Sequence, residues 1–154
     1  MTIVKEHRFP TSVRWLGGRL TRVSAPEKVD LDVAVPPEFR GGIEGTWSPE
    51  ELLVGSTASC YAVTVVALFE RLGVPLADLA VDGIGHVTRR ADGKLAFVAI
   101  EVTAKVVTEA EWVAAAEAAA REAKEVCLIS LALDVPVHVV VQVSASRQPV
   151  LGAA

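Results

Sequence analysis

Cys60 and Cys127 are the two thiols of a 154-residue chain, and their chemistry decides what the rest of the sequence has to position. Cys60 closes the segment Gly55-Ser-Thr-Ala-Ser-Cys60, inside an apolar helical pattern, where small residues let another element approach and hydroxyls offer local hydrogen bonds. Cys127 directly follows an alanine-rich helical pattern, where the chain changes direction. Two thiols that meet within one fold can run a redox cycle in which one attacks an oxidant and the other resolves the product. Apart, each is an ordinary space-filler, since free cysteine is among the most buried residue types. The residues alone leave both readings open.

Other chemistries find less support. His7, His86 and His138 are the remaining soft donors, and their spacing is not that of zinc ligands, so no metal and no cofactor is expected. His138 alternates with Val137, Val139 and Val141 in a strand pattern and is read as an outward-facing side chain rather than a base. A cysteine hydrolase would need such a base beside its thiol. Glu50 and Glu51 fall in the first turn of a helix, where acids complement the helix dipole. One regular helix from Glu50 to Cys60 would set them about 15 Å and about 80° apart. Either the helix breaks near Gly55, or Glu50 acts by orienting an arginine from elsewhere, with Arg14, Arg19 and Arg22 as the candidates.

The elements that must hold these groups are legible in outline. Residues 1–22 read as an edge hairpin turning at Gly17-Gly18. Lys28 to Val35 alternates with period two, placing Val29, Leu31, Val33 and Val35 on one face of a strand that Pro36-Pro37 ends. Ser48-Pro49-Glu50-Glu51 combines an N-cap serine, proline at the first helical position and a glutamate three residues on, a capping box that opens a helix to Leu72. Its middle, Tyr61 to Phe69, is apolar nearly all round, which predicts a central, buried helix. Leu79–Arg89 and Leu95–Val107 flank Ala91-Asp-Gly93 as a hairpin. A second helix over 110–126, a short helical turn from Cys127 to Leu133 and a last strand, Val137–Val143, complete an α+β order in which antiparallel sheet surface covers a buried helix. Ser144 to Ala154 has no strong pattern. Exposed edges and apolar faces predict a two-fold partner.

Composition narrows the function. A formal charge of -4, from 15 basic and 19 acidic side chains, offers no field for a nucleic-acid backbone. Charges occupy the start of the chain where a signal peptide would be apolar, and no apolar run is read as approaching 18 residues, so a soluble cytoplasmic protein without a membrane role is expected. That compartment keeps thiols reduced between turnovers. Hydrophobic residues at 51% of the chain predict a substantial core, part of it at a subunit interface.

Ser48-Pro-Glu-Glu-Leu-Leu53 followed by Gly55 to Cys60, together with Glu125-Val-Cys127-Leu-Ile-Ser130, resembles the family of osmotically inducible protein C and organic hydroperoxide resistance proteins. The resemblance covers residues 10–143 and implies a single domain over 1–154 with the OsmC-like fold, built as an intertwined homodimer with active sites at the interface. It implies a thiol-dependent peroxidase that reduces organic or fatty-acid hydroperoxides to alcohols. Carried onto this sequence, Cys60 is the peroxidatic cysteine, Cys127 the resolving one that closes a Cys60–Cys127 disulfide, Arg19 of Gly17-Gly18-Arg19 the arginine at the thiolate, and Glu50 its partner. A dithiol reductant, in the family often a lipoylated protein, restores the pair. The chain departs from the pattern at Leu128, where proline is common, and Arg14 competes with Arg19 after a small shift of register. The alternative is a non-catalytic binding or redox-sensing protein whose apolar groove holds a small ligand.

Overall fold

The structure is a computed structural model that describes residues 5–147. The expectations for the extreme N-terminus and for the tail beyond Arg147 therefore lie partly outside the described residues. The chain forms two compact units, one ending at Leu52 and one beginning at Leu53.

The first unit is a three-stranded antiparallel sheet, with β1 (Ser12–Gly17), β2 (Leu20–Ser24) and β3 (Leu31–Ala34) side by side in that order. The β1–β2 turn uses Gly17 and Gly18 at φ 118° and 53°, left-handed conformations that glycine adopts without steric cost. Trp15 Nε1 donates to the Gly18 carbonyl at 3.0 Å and steadies the turn. β3 is shorter than the alternation predicted. Glu27 has a positive φ of 60° and the Lys28 N–H closes a turn onto the Ala25 carbonyl. The ladder consequently starts at Leu31, and Val29 is left 95% exposed instead of sharing the buried face with Val33. After β3 the Trp47 carbonyl accepts the Ala34 N–H at 2.8 Å, which returns the chain to the sheet edge just ahead of the capping box.

α1 (Pro49–Leu72) starts as its sequence dictates. The Ser48 N–H donates to Glu51 Oε2 at 2.8 Å and the Glu51 N–H donates to Ser48 Oγ at 3.1 Å, so both arms of the box are closed. The helix runs unbroken through Gly55. By length and composition it is apolar enough to cross a membrane, with a mean hydropathy of 1.9 over an 18-residue window. The reading that no apolar run approaches this length missed it because Ser56, Thr57, Ser59 and Thr64 punctuate the run without charging it. Thr57 and Thr64 return their hydroxyls to the carbonyls one turn back, those of Leu53 and Cys60, which hides their polarity. Tyr61, Val65, Leu68 and Phe69 are buried, whereas Val63 is 62% exposed. Within this chain α1 is thus buried along one side rather than all round.

The second sheet is mixed, a departure from the antiparallel arrangement expected. β4 (Asp78–Arg89) and β5 (Leu95–Thr108) form the predicted hairpin, and β6 (Val137–Ala145) joins the far edge of β5 in parallel. The parallel pairing follows from the connection, since α2 (Val113–Val126) and α3 (Leu128–Ala132) carry the chain back across the sheet. A 3₁₀ turn at Ala110–Trp112 precedes α2. Ile100, Val102, Ala104 and Val106 turn inward from β5 and form the core with Tyr61, Val65, Phe69 and the alanines of α2. Ala116, Ala119, Ala120 and Ala123 are the buried face of α2, and their small side chains bring the helix close against the sheet. Outward, His86 Nε2 lies 3.3 Å from Glu101, and His138 stands opposite Glu101 in register and exposed, as its strand pattern predicted.

Candidate functional site

Two glycines seat α1 on the second sheet. Gly83 and Gly85 point to the same face of β4, and a Cβ at either would overlap Val54 of the helix, at 2.8 Å for Gly83 and 2.6 Å for Gly85. A glycine pair at i, i+2 in a strand is the sequence signature of such a close approach; this signal went unread above. Tyr61 fixes the helix laterally. Its hydroxyl donates to the Ala120 carbonyl of α2 at 2.7 Å in the fully buried interior, and burial raises its pKa to about 12, with Arg121 lowering it and Cys127 adding to the rise. α1 is therefore held against both the sheet and the helix whose end carries the second cysteine.

That anchoring places Cys60 and Cys127 on neighbouring elements beside the same core. Both are free thiols, Cys60 half-buried and Cys127 wholly buried; the Cys60 side chain is one of the groups near Cys127 that favour its thiolate, and the two cysteines are not at disulfide distance. Cys127 occupies the junction of α2 and α3. Its backbone is extended, at φ -70° and ψ 114°, and its carbonyl accepts the Leu131 N–H at 3.0 Å to open α3. Its side chain makes no capping bond to α3. Burial disfavours its ionisation, but the Ser130 hydroxyl and N–H, the Cys60 side chain and the Ile129 N–H all favour the thiolate, and together they hold Cys127 below the ordinary thiol range. Ser130 Oγ is itself buried with no hydrogen-bond partner. Its one role visible here is toward that sulfur, and sequence reasoning, which quoted Ser130 only as part of a segment, gave it none.

Arg19 and Glu50 lie in the first unit. Arg19 is exposed in the β1–β2 turn, and its aliphatic stem crosses Gly41, where a Cβ would come within 3.1 Å of Arg19 Cδ. Glu50 stands in the first turn of α1, and its Oε2 is buried with no hydrogen-bond partner. Among the described residues the two form no ion pair. Arg22 is already engaged, donating to both carboxylate oxygens of Asp32 at 2.7 and 3.1 Å, so each raises the charged state of the other. Arg14 stands opposite Arg22 in the β1–β2 register and lines a surface hollow with Trp15, Arg22 and Asp30. Among the described residues no cluster of three or more His, Cys, Asp or Glu could hold a metal ion.

The OsmC-like protein family matches residues 42–142, the stretch that contains α1, both cysteines and all of the second sheet but the end of β6. The chain belongs to that family. This OsmC-like chain is 32% identical over 136 residues to the uncharacterized protein YmaD of Bacillus subtilis, covering 83% of the chain and 87% of that protein. Among solved structures it resembles an OsmC-like protein of unknown function from Vibrio cholerae, with a TM-score of 0.80 at 15% identity over 89% of this chain and 100% of that one. It also resembles an organic hydroperoxide resistance protein OsmC from Legionella pneumophila, with a TM-score of 0.74 at 23% identity over 92% and 99%. These likenesses agree on the α+β architecture of strands around a long helix.

Proposed function

We propose that this protein is a thiol-dependent peroxidase that reduces organic hydroperoxides to alcohols. The observation that carries the reading is that Cys60 stands among the groups that favour the Cys127 thiolate, in a family that includes a structural neighbour described as an organic hydroperoxide resistance protein. Cys60, the less buried of the two, attacks the outer peroxide oxygen. The O–O bond breaks, the alcohol leaves with a proton, and the sulfur becomes a sulfenic acid. The Cys127 thiolate then attacks that sulfur, expels hydroxide, and closes the Cys60–Cys127 disulfide. The two cysteines are not at disulfide distance in the reduced protein, so closing a bond of about 2.05 Å requires the segment around Cys60 or Cys127 to move.

Arg19 is the proposed cation for the Cys60 thiolate and Glu50 the group that orients it. A buried carboxylate oxygen without a donor is costly, so the unpartnered Oε2 of Glu50 calls for a cation, and a guanidinium fork matches a carboxylate and a second acceptor at once. A homodimer is part of the proposal. Val63 on α1 and Leu128 and Leu131 on α3 are 62%, 67% and 68% exposed, apolar area that a second copy would cover. We place the protein in the cytoplasm, where a dithiol, such as a lipoylated protein, returns both cysteines to thiols. Stopped-flow oxidation of the reduced protein by cumene hydroperoxide tests the reading. It predicts one disulfide formed per hydroperoxide consumed, and a reduced protein that leaves the hydroperoxide untouched refutes it.

A further inference from the structure

In the disulfide form the two sulfurs are not equivalent, and the protein around them dictates which one a reductant reaches. Cys127 is 0% exposed and enclosed by α2, α3 and the core. Cys60 is half-buried and accessible by comparison. Burial opposes charge on Cys127, but the Ser130 hydroxyl, the Ser130 and Ile129 N–H groups and the Cys60 side chain near it favour a negatively charged sulfur and outweigh that cost. The Ser130 hydroxyl is buried with no hydrogen-bond partner, and a negative charge arriving on the Cys127 sulfur supplies the acceptor it lacks. A thiolate attacks a disulfide along the S–S axis, and the better-stabilised sulfur leaves faster.

We propose that a dithiol reductant attacks the Cys60 sulfur and expels Cys127, and that Ser130 is the positioning residue that receives the departing sulfur. The assignment rests on the disulfide cycle proposed above. In the first step a reductant sulfur bonds to Cys60 Sγ as the Cys60–Cys127 bond breaks, and the electron pair leaves on Cys127. In the second, the other reductant sulfur attacks the first, the mixed disulfide breaks, and Cys60 leaves as a thiolate. The dithiol loses two electrons and becomes a disulfide, and its two protons match the two cysteine thiols regenerated. Accessibility and leaving-group stability select the same direction, so the resolving cysteine of the oxidative half becomes the leaving group of the reductive half.

The test starts from the oxidised full-length protein. A brief pulse of a biotin-tagged monothiol, which can form the mixed disulfide but not complete the second step, is quenched with acid, alkylated under denaturing conditions and mapped by peptide mass spectrometry. The tag is expected on Cys60 with alkylation on Cys127; a tag on Cys127, or one shared equally, overturns the assignment. Ser130→Ala is then expected to slow reduction of the disulfide by dihydrolipoamide about tenfold, in keeping with loss of a hydrogen bond to a charged sulfur. Oxidation of reduced Cys60 by hydroperoxide should stay within about twofold of the parent, and Ser130→Thr should restore the reductive rate. Equal slowing of the Cys60 oxidation step and of disulfide reduction, or no slowing of reduction, overturns the role of Ser130. If hydroperoxide fails to oxidise the thiols while diamide bridges them, the peroxidase reading falls and the direction of attack is still decided on the diamide-made bond. If diamide cannot bridge them either, both fall.

Discussion

Gly85→Ala tests how the sheet aims the central helix. The added methyl would lie 2.5 Å from Phe97 Cε1 and 2.6 Å from Val54 Cγ2, whereas carbon atoms in contact prefer about 3.5 to 4.0 Å. Each neighbour must therefore retreat by roughly 1 Å, one of them carried on α1 six residues before Cys60. Overpacking of this size costs about 1–3 kcal/mol, and replacing a strand glycine by alanine returns about 0.5–1 kcal/mol of chain entropy. The net spans about 0–2.5 kcal/mol and centres on a loss of about 1.2 kcal/mol, which at a urea slope of about 2 kcal/mol per molar lowers the unfolding midpoint by about 0.6 M. Gly55→Ala provides the opposite sign on the same helix. Nothing lies within 4 Å of its added methyl, so only helix propensity changes and stability rises by about 0.5–1 kcal/mol. Urea unfolding followed by tryptophan fluorescence measures both, and disulfide formation from the reduced protein should be slower in Gly85→Ala alone. Parent-like stability in Gly85→Ala, or the same sign in both variants, would refute the seating of α1 on the Gly83–Gly85 strand.

Ser48→Ala should lower stability by about 1 kcal/mol in thermal or urea unfolding, since it removes one arm of the closed capping box. Tyr61 makes stability fall at high pH. Its folded pKa of about 12 exceeds the unfolded value near 10, so the folded state holds the proton more tightly and the advantage is lost as pH rises between those values. Unfolding midpoints measured across that window should decline in the parent and decline less in Tyr61→Phe; equal declines would remove Tyr61 as the source. If apolar side chains beside the cysteines bury the peroxide's alkyl group, the second-order rate constant should rise with chain length, with a ceiling near 0.8 kcal/mol per CH₂. A profile flat from tert-butyl to fatty-acid hydroperoxides would contradict that.

Local signals carried much of this fold. The capping box marked the start of α1 to the residue, and Gly17-Gly18 and Asp92-Gly93 marked their turns, because each feature is set by neighbours in the chain. Features that depend on distant partners were harder to read. Val29 was placed on a strand face by its alternation, but the turn at Glu27 delays the ladder to Leu31. The parallel pairing of β6 is decided by where the α2–α3 crossover delivers the chain, and nothing in the strand's own alternation encodes it. The two cysteines could be named as a pair with chemistry, yet how α1 is seated relative to Cys127 depends on Tyr61, Ala120, Gly83 and Gly85, which pattern-reading treats as packing. Ser130 escaped notice because a single hydroxyl three residues after a cysteine gains meaning only once α3 folds it back toward the sulfur.

The central claim is that Cys60 and Cys127 form one redox centre for organic hydroperoxides. Its most direct measurement is steady-state consumption of cumene hydroperoxide with dihydrolipoamide as reductant, comparing the parent with Cys60→Ser and Cys127→Ser. The account predicts many turnovers in the parent, no reaction in Cys60→Ser, and in Cys127→Ser a first rapid oxidation without the intramolecular disulfide. A reduced parent that does not consume hydroperoxide, or turnover that survives in Cys60→Ser, would contradict it.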